Sequence, residues 1–261
     1  MRIEIEHNLS LSLSPGSGQL LLHLLLTPGS GPTQTVESWS VEAQGIGNAG
    51  RFTDAYGNGV HLVNQGRIEG DVTVAARGVV VTRDTHGVLG RPEGEPVVAL
   101  YKRVTPLTPP PAELLAGFEA GGNRLDMLHR LMALVGEPRS AAQQTQMQAD
   151  GGQSQSQSQG EDPATAENLA HRFIGAARSL DIPARFVAGY LVGDDEHEGG
   201  LHAWAEAFDD RLGWIGFDPV LQLCATERHV RLAVGLNGAA AVSLRTVPVG
   251  EISQSAVVTG T

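Results

Sequence analysis

Cysteine occurs once in the 261 residues, as Cys224. That scarcity excludes an internal disulfide and any CxxC metal motif, and leaves at most a lone reactive thiol. Cations are also few: 18 Lys plus Arg stand against 29 Asp plus Glu, a formal net charge of -11. Phosphate backbones are held by clustered cations, so nucleic acid is not an expected partner. Long apolar runs are missing as well. The longest, residues 20–26, is interrupted by His23 and is too short to cross a bilayer, and the opening MRIEIEHNLS has no apolar signal-peptide core. The expectation is a cytoplasmic protein without a membrane partner. What is present, 41% hydrophobic residues, suits a globular chain of one large or two ordinary domains.

Up to about residue 101 the chain runs in short alternating or apolar segments, RIEIEH, QLLLHLLL, SWSVEA, VHLVN, DVTVAA and GVVVT, separated by Gly, Asn, Pro and Ser. Period-two alternation between turn residues predicts an antiparallel β-sandwich over residues 1–103. Within it DAYGNGVHLVN is read as a hairpin, because Gly57, Asn58 and Gly59 tolerate positive φ. The prolines of TPLTPPPAE remove backbone donors and fix φ, so they mark a domain boundary, with a second unit over residues 109–261.

That second unit opens with a helix over residues 123–135, where Leu125, Leu128, Leu131, Met132 and Val135 share a face. Residues 143–160, rich in Gln, Ser and Gly, bury too little to offset the entropy of ordering and are expected to form a flexible loop. A helix over about 164–180 presents Leu169, Phe173, Ile174, Ala177 and Leu180, and Pro183 ends it. Strand-like RFVAGYLV, HAWAEAF, GWIGFDP and HVRLAVG follow, which makes the unit α+β. The tail from residue 236 should add extended segments to one unit or the other.

His202 opens one of these strands and Asp218 closes the next. Adjacent antiparallel strands of that length can set an imidazole beside a carboxylate, the pairing that fixes a histidine tautomer and stabilises its charged form. The same spacing also suits a buried, hydrogen-bonded histidine and an aspartate in the turn before Pro219. The run Asp194, Asp195, Glu196, His197 and Glu198 cannot turn five consecutive side chains onto one ion, so it reads as a solvated loop and no metal site is expected.

Taken in order, ARSLDIPARFVAGYL, LHAWAEAF and LGWIGFDP resemble the transglutaminase-like superfamily, papain-like thiol enzymes with a Cys–His–Asp triad. The segment before residue 103 resembles the β-domain that precedes this core in a bacterial subfamily. The resemblance implies an N-terminal β-sandwich followed by a papain-like core, with His202 as the catalytic histidine and Asp218 as the catalytic aspartate. It also places Trp204 and Trp214 where the family has aromatics near its site, and it calls for no cofactor. The family's nucleophile segment G-V-C-x-D precedes an Ala-His pair in the helix. Registering Ala170 and His171 on that pair lays Ala164, Thr165, Ala166, Glu167 and Asn168 over the motif, so Ala166 stands in the place of the cysteine. Gly, Cys and Asp are all replaced, which points to natural divergence rather than one engineered change.

Two functions follow. A transglutaminase-like fold without its thiol would act as a pseudoenzyme that holds a peptide or protein partner in the cleft beside His202, Trp204 and Asp218. Alternatively, an active cysteine peptidase or amide hydrolase would draw a displaced nucleophile from elsewhere, Cys224 being the one thiol available. Thr165 should point about 100° away around the helix, and His171 is expected to be a packing or capping histidine.

Overall fold

In the computed structural model, the structure describes all residues except 14–17, 67–70, 117, 120, 137–162 and 195–198. The strands of the first half are β1 (Arg2–Ser12), β2 (Leu20–Thr27), β3 (Gln34–Ala43), β4 (Gly50–Thr53), β5 (Gly59–Gln65), β6 (Val72–Thr82) and β7 (Val88–Gly90). Helices α1 (Ala112–Leu115), α2 (Arg124–Gly136) and α3 (Pro163–Ser179) follow. Then come β8 (Ala184–Leu191), β9 (Gly200–Asp209), β10 (Gly213–Asp218), β11 (Leu223–Cys224), β12 (His229–Gly235), α4 (Gly238–Ala241), β13 (Leu244–Val247) and β14 (Glu251–Gly260).

The fold is the expected α+β arrangement. Two four-stranded antiparallel sheets, ordered β14-β1-β6-β3 and β13-β2-β5-β4, make the N-terminal part. In β1 the odd positions Ile3, Ile5, Leu9 and Leu11 are buried while Arg2, Glu4, Glu6 and Asn8 face solvent, the alternation that one buried sheet face demands. The predicted turn around Gly57 joins β4 to β5, with Gly57 at φ 89. The domain boundary placed residues 236–261 in the second unit, and the sheets place their strands in the first: β14 pairs along the whole of β1, and β13 pairs with β2. Nothing in the tail's own sequence reveals this, because partner choice lies in β1 and β2.

A third sheet, of six strands, runs β11-β10-β9-β8-β12, with β7 added on β10. Helix α2 occupies the predicted stretch and buries Leu128, Leu131, Met132 and Val135, and Asn123 starts it by accepting the Asp126 N–H at 2.9 Å. Helix α3 begins at Pro163, a residue already set for the first helical position, and buries Ala166, Ala170, Phe173, Ile174 and Ala177. Its end is set by Asp181 at φ 59 and by the Ile182 N–H reaching back to the Ala177 carbonyl at 3.0 Å, before Pro183. Leu169 and Leu180, expected on the buried face, are partly buried against the core. The predicted 143–160 loop lies outside the described residues.

Side chains join the two parts. The buried guanidinium of Arg178 on α3 donates to the Tyr101 carbonyl at 2.9 Å, to Thr108 Oγ1 at 2.8 Å, and to the carbonyls of Ala184 and Leu236 at 2.8 and 2.7 Å, lacing the proline-rich segment onto the six-stranded sheet. Strand β12 has β8 on one side only, and two carboxamides complete its other edge. Gln34 exchanges both hydrogen bonds with the Arg231 backbone at 2.8 Å, and Asn58 does the same for Val234 at 2.8 Å. Backbone groups left open at a buried edge cost free energy, so each carboxamide stands in for a neighbouring strand.

Candidate functional site

Strand β9 alternates between two environments. Ala203, Ala205 and Ala207 join the core that includes Phe173 of α3, their small side chains letting the helix pack closely. His202, Trp204, Glu206 and Phe208 take the other face. There the sheet curls enough to bring Asp218 on β10 and His229 on β12 together although β9 and β8 lie between them.

His202 Nε2 lies 2.6 Å from Asp218 Oδ2, and His229 Nε2 lies 3.0 Å from the same oxygen, with all three side chains buried. Asp218 Oδ1 accepts the backbone N–H groups of Val220 and Leu221 at 2.9 and 3.3 Å. Burial alone would raise the pKa of Asp218, but hydrogen bonds from His202 and His229 hold it well below the usual carboxylate range. An ionised carboxylate only accepts, so His202 carries its hydrogen on Nε2 and its Nδ1 is the nitrogen left for a reacting group. Burial pushes the His229 pKa down, against the pull of Asp218.

The pairing expected of His202 and Asp218 is therefore present, and the expected aromatic Trp204 adjoins it. Its ring stacks on His202 with centroids 6.2 Å apart and meets His229 edge-on at 5.2 Å. Gly189 makes room for that ring: a Cβ there would lie 2.7 Å from the indole. Trp214 belongs elsewhere. It covers the Arg185 guanidinium at 3.9 Å and packs on Tyr101 and Phe208 with centroids 5.1 and 5.3 Å away. Arg185 is fully buried and pairs with Glu95 and, at 2.6 Å, with Glu206, which also binds Arg231 at 2.9 Å. Trp214 thus shields an ion-pair network rather than flanking the His–Asp pair.

Sequence reasoning missed His229, since HVRLAVG reads only as a strand. The ligand atoms of His202, Asp218 and His229 lie within 4.8 Å of one another, the outline of a metal site. The donor set argues otherwise. His229 Nδ1 accepts the Thr226 N–H at 3.1 Å, so in the neutral ring the hydrogen sits on Nε2, the atom a metal would have to occupy.

Ala166 lies buried in the first turn of α3 within the main core. Its neighbour Glu167 and His202 line one groove of about 260 Å³, floored by Ala188, Gly189 and Ala203 and bounded by Gly238 of α4. The start of the helix and the histidine therefore open on one space. His171 packs as expected: it accepts the Gly238 N–H at 2.8 Å, and burial pushes its pKa down to about 4. Cys224 pairs with Phe217 across β10, while Asp218 pairs with Leu223, which sets the thiol on the opposite face of the ladder from the Asp218 side chain. Its Sγ lies 3.4 Å from His129 Nε2, and burial raises its pKa. In the acidic loop Asp194 pairs with Arg228, and residues 195–198 lie outside the described residues.

A helix laid on a curled antiparallel sheet, with a His–Asp pair on neighbouring strands, is the architecture of the papain-like thiol enzymes. More particularly, residues 122–219 match the transglutaminase-like superfamily and residues 3–81 match the bacterial transglutaminase-like N-terminal region, and the chain belongs to that superfamily with that N-terminal region. A crystal structure from Cytophaga hutchinsonii, described as a candidate cysteine protease, shares the fold with a TM-score of 0.67 at 16% identity, covering 99% of this chain and 89% of that one. An uncharacterised protein of Mycobacterium leprae is 35% identical over 75 residues, which span 26% of this chain and 26% of that protein. Among the described residues no helix is long and apolar enough to cross a membrane.

Proposed function

We propose that this chain is a transglutaminase-like protein that has lost thiol catalysis and uses the groove between His202 and the start of α3 to hold a peptide segment of a partner protein. The observation that carries the reading is Ala166, a methyl side chain in the first turn of the helix where the superfamily presents its nucleophile. Covalent acyl transfer needs a thiol beside the imidazole, and loss of a triad nucleophile removes several orders of magnitude in rate. The groove supports a binding role, since Ala188, Gly189, Ala203 and Gly238 within its mainly apolar lining leave room for an extended backbone beside Glu167 and His202.

A second reading rests on Cys224 and His129. The His129 Nδ1 lies 3.0 Å from the Leu125 carbonyl, which leaves Nε2 free to accept from the thiol. That arrangement would serve a displaced nucleophile in a peptidase or amide hydrolase. Incubation with a thiol-directed electrophile, mapping of the adduct, and assay of peptide and amide cleavage separate the two. The binding reading expects no cleavage and only slow labelling of Cys224. Cleavage abolished by Cys224→Ser would refute it and install Cys224 as the nucleophile.

A further inference from the structure

The turn before β12 closes on His229. Its backbone N–H bonds the Thr226 carbonyl at 3.1 Å, and the Thr226 N–H returns to the ring Nδ1 at 3.1 Å. A ring nitrogen that accepts an N–H carries no hydrogen itself, so the neutral imidazole donates through Nε2 to Asp218 Oδ2, 3.0 Å away. With His202 on the same oxygen and two backbone donors on the other, the Asp218 carboxylate is fully engaged and has no freedom to turn. The oxygen offered to His202 is thereby fixed in place.

His229 is itself held from the N-terminal sheets. Thr82 Oγ1, at the end of β6, donates to the Glu227 carbonyl at 2.5 Å, Gln34 of β3 takes both backbone groups of Arg231, and Asn58 takes those of Val234. These three contacts run along the outer edge of β12 and the turn leading into it.

We infer that His229 is a positioning residue for the His202–Asp218 pair, holding His202 in its Nε2–H tautomer through Asp218, and that the N-terminal part sets His229 through the edge of β12. This goes beyond the superfamily's triad and is independent of what the groove binds. The charged or titratable groups acting on the ring are Asp218, His202 and Arg228.

The unmodified protein gives the first test. Long-range proton–nitrogen spectra of its imidazoles should show His229 with hydrogen on Nε2 and a bare Nδ1, and His202 in the same tautomer. A His229 bearing its hydrogen on Nδ1 would overturn the inference without any variant. His229→Phe keeps an aromatic ring edge-on to Trp204 but removes the donor. Asp218 is then no longer held on that side, so the single-tautomer signature of His202 should weaken. His229→Gln, which retains a side-chain N–H, should restore the original behaviour. Gln34→Ala touches neither ring, yet it should shift the imidazole signals of both histidines. A folded His229→Phe protein with unchanged His202 signals would reduce His229 to core packing. Unchanged His229 signals in Gln34→Ala would break the link to the N-terminal part.

Discussion

The carboxamide of Asn58 makes both backbone hydrogen bonds of Val234, each at 2.8 Å, and is steadied by Asp54 Oδ2 at 2.9 Å. Removing it leaves a buried N–H and a buried carbonyl without partners, and a buried unsatisfied group costs about 1–3 kcal/mol. Asn58→Ala is therefore expected to lower stability by about 2–4 kcal/mol, read as the shift of the urea midpoint at constant slope. A loss within experimental error would mean that water replaces the carboxamide at this edge.

Ala166→Cys, made together with Cys224→Ser, puts the sole thiol in the first turn of α3. A helix N-terminus stabilises a thiolate, and the adjacent Glu167 shares a groove with His202. The new thiol should alkylate at neutral pH about tenfold faster than an unactivated cysteine, its apparent pKa lying below the ordinary thiol range of about 8.5. Peptide turnover is not expected to return, because Ala164 and Asn168 also depart from the superfamily's Gly and Asp. A thiol at 166 reacting no faster than free cysteine would separate the helix start from the histidine.

His7 of β1 is fully buried, its Nδ1 3.0 Å from the Tyr190 hydroxyl and its Nε2 3.2 Å from Gln254 Oε1. Both contacts suit a neutral ring, and burial pushes its pKa down to about 4 despite the bond to Gln254. Between that value and the unfolded value near 6.5 the unfolded chain binds the extra proton, so stability falls as pH falls through this window. The expected loss from this residue is on the order of 2–3 kcal/mol between pH 6.5 and 4. His7→Gln should flatten that part of the stability profile measured by denaturant melts, and an unchanged slope would assign it to other groups.

Much of this arrangement is legible from local pattern. The alternation of RIEIEH gives a half-buried strand, and the spacing of Leu128, Leu131, Met132 and Val135 gives α2, because each pattern is satisfied by the element's own periodicity. His202 and Asp218 could be proposed as partners since a short turn joins their strands. His229 could not, because its meeting with Asp218 depends on curvature accumulated over the strands between them. Trp214 misled for a related reason: it lies close in sequence to Asp218, but its ring is claimed by Arg185, whose own need for ion partners appears only once Glu95 and Glu206 converge on it. The return of β13 and β14 to the first sheets was equally hidden, since an extended segment does not carry the identity of its partner.

The pairing of β14 with β1 runs from Ile3 opposite Gly260 to Ser12 opposite Glu251. During synthesis, β1 emerges with β6 and β3 available, yet its remaining edge stays open until residues 251–260 have been made. The loop closed by this ladder encloses the entire six-stranded sheet, and contacts at such sequence separation form slowly. The first sheet therefore acquires its last strand late, after the site-bearing sheet has had the chance to form. A ribosome-bound chain stopped before residue 251 should expose the edge of β1 and be the species most prone to mispairing or chaperone capture.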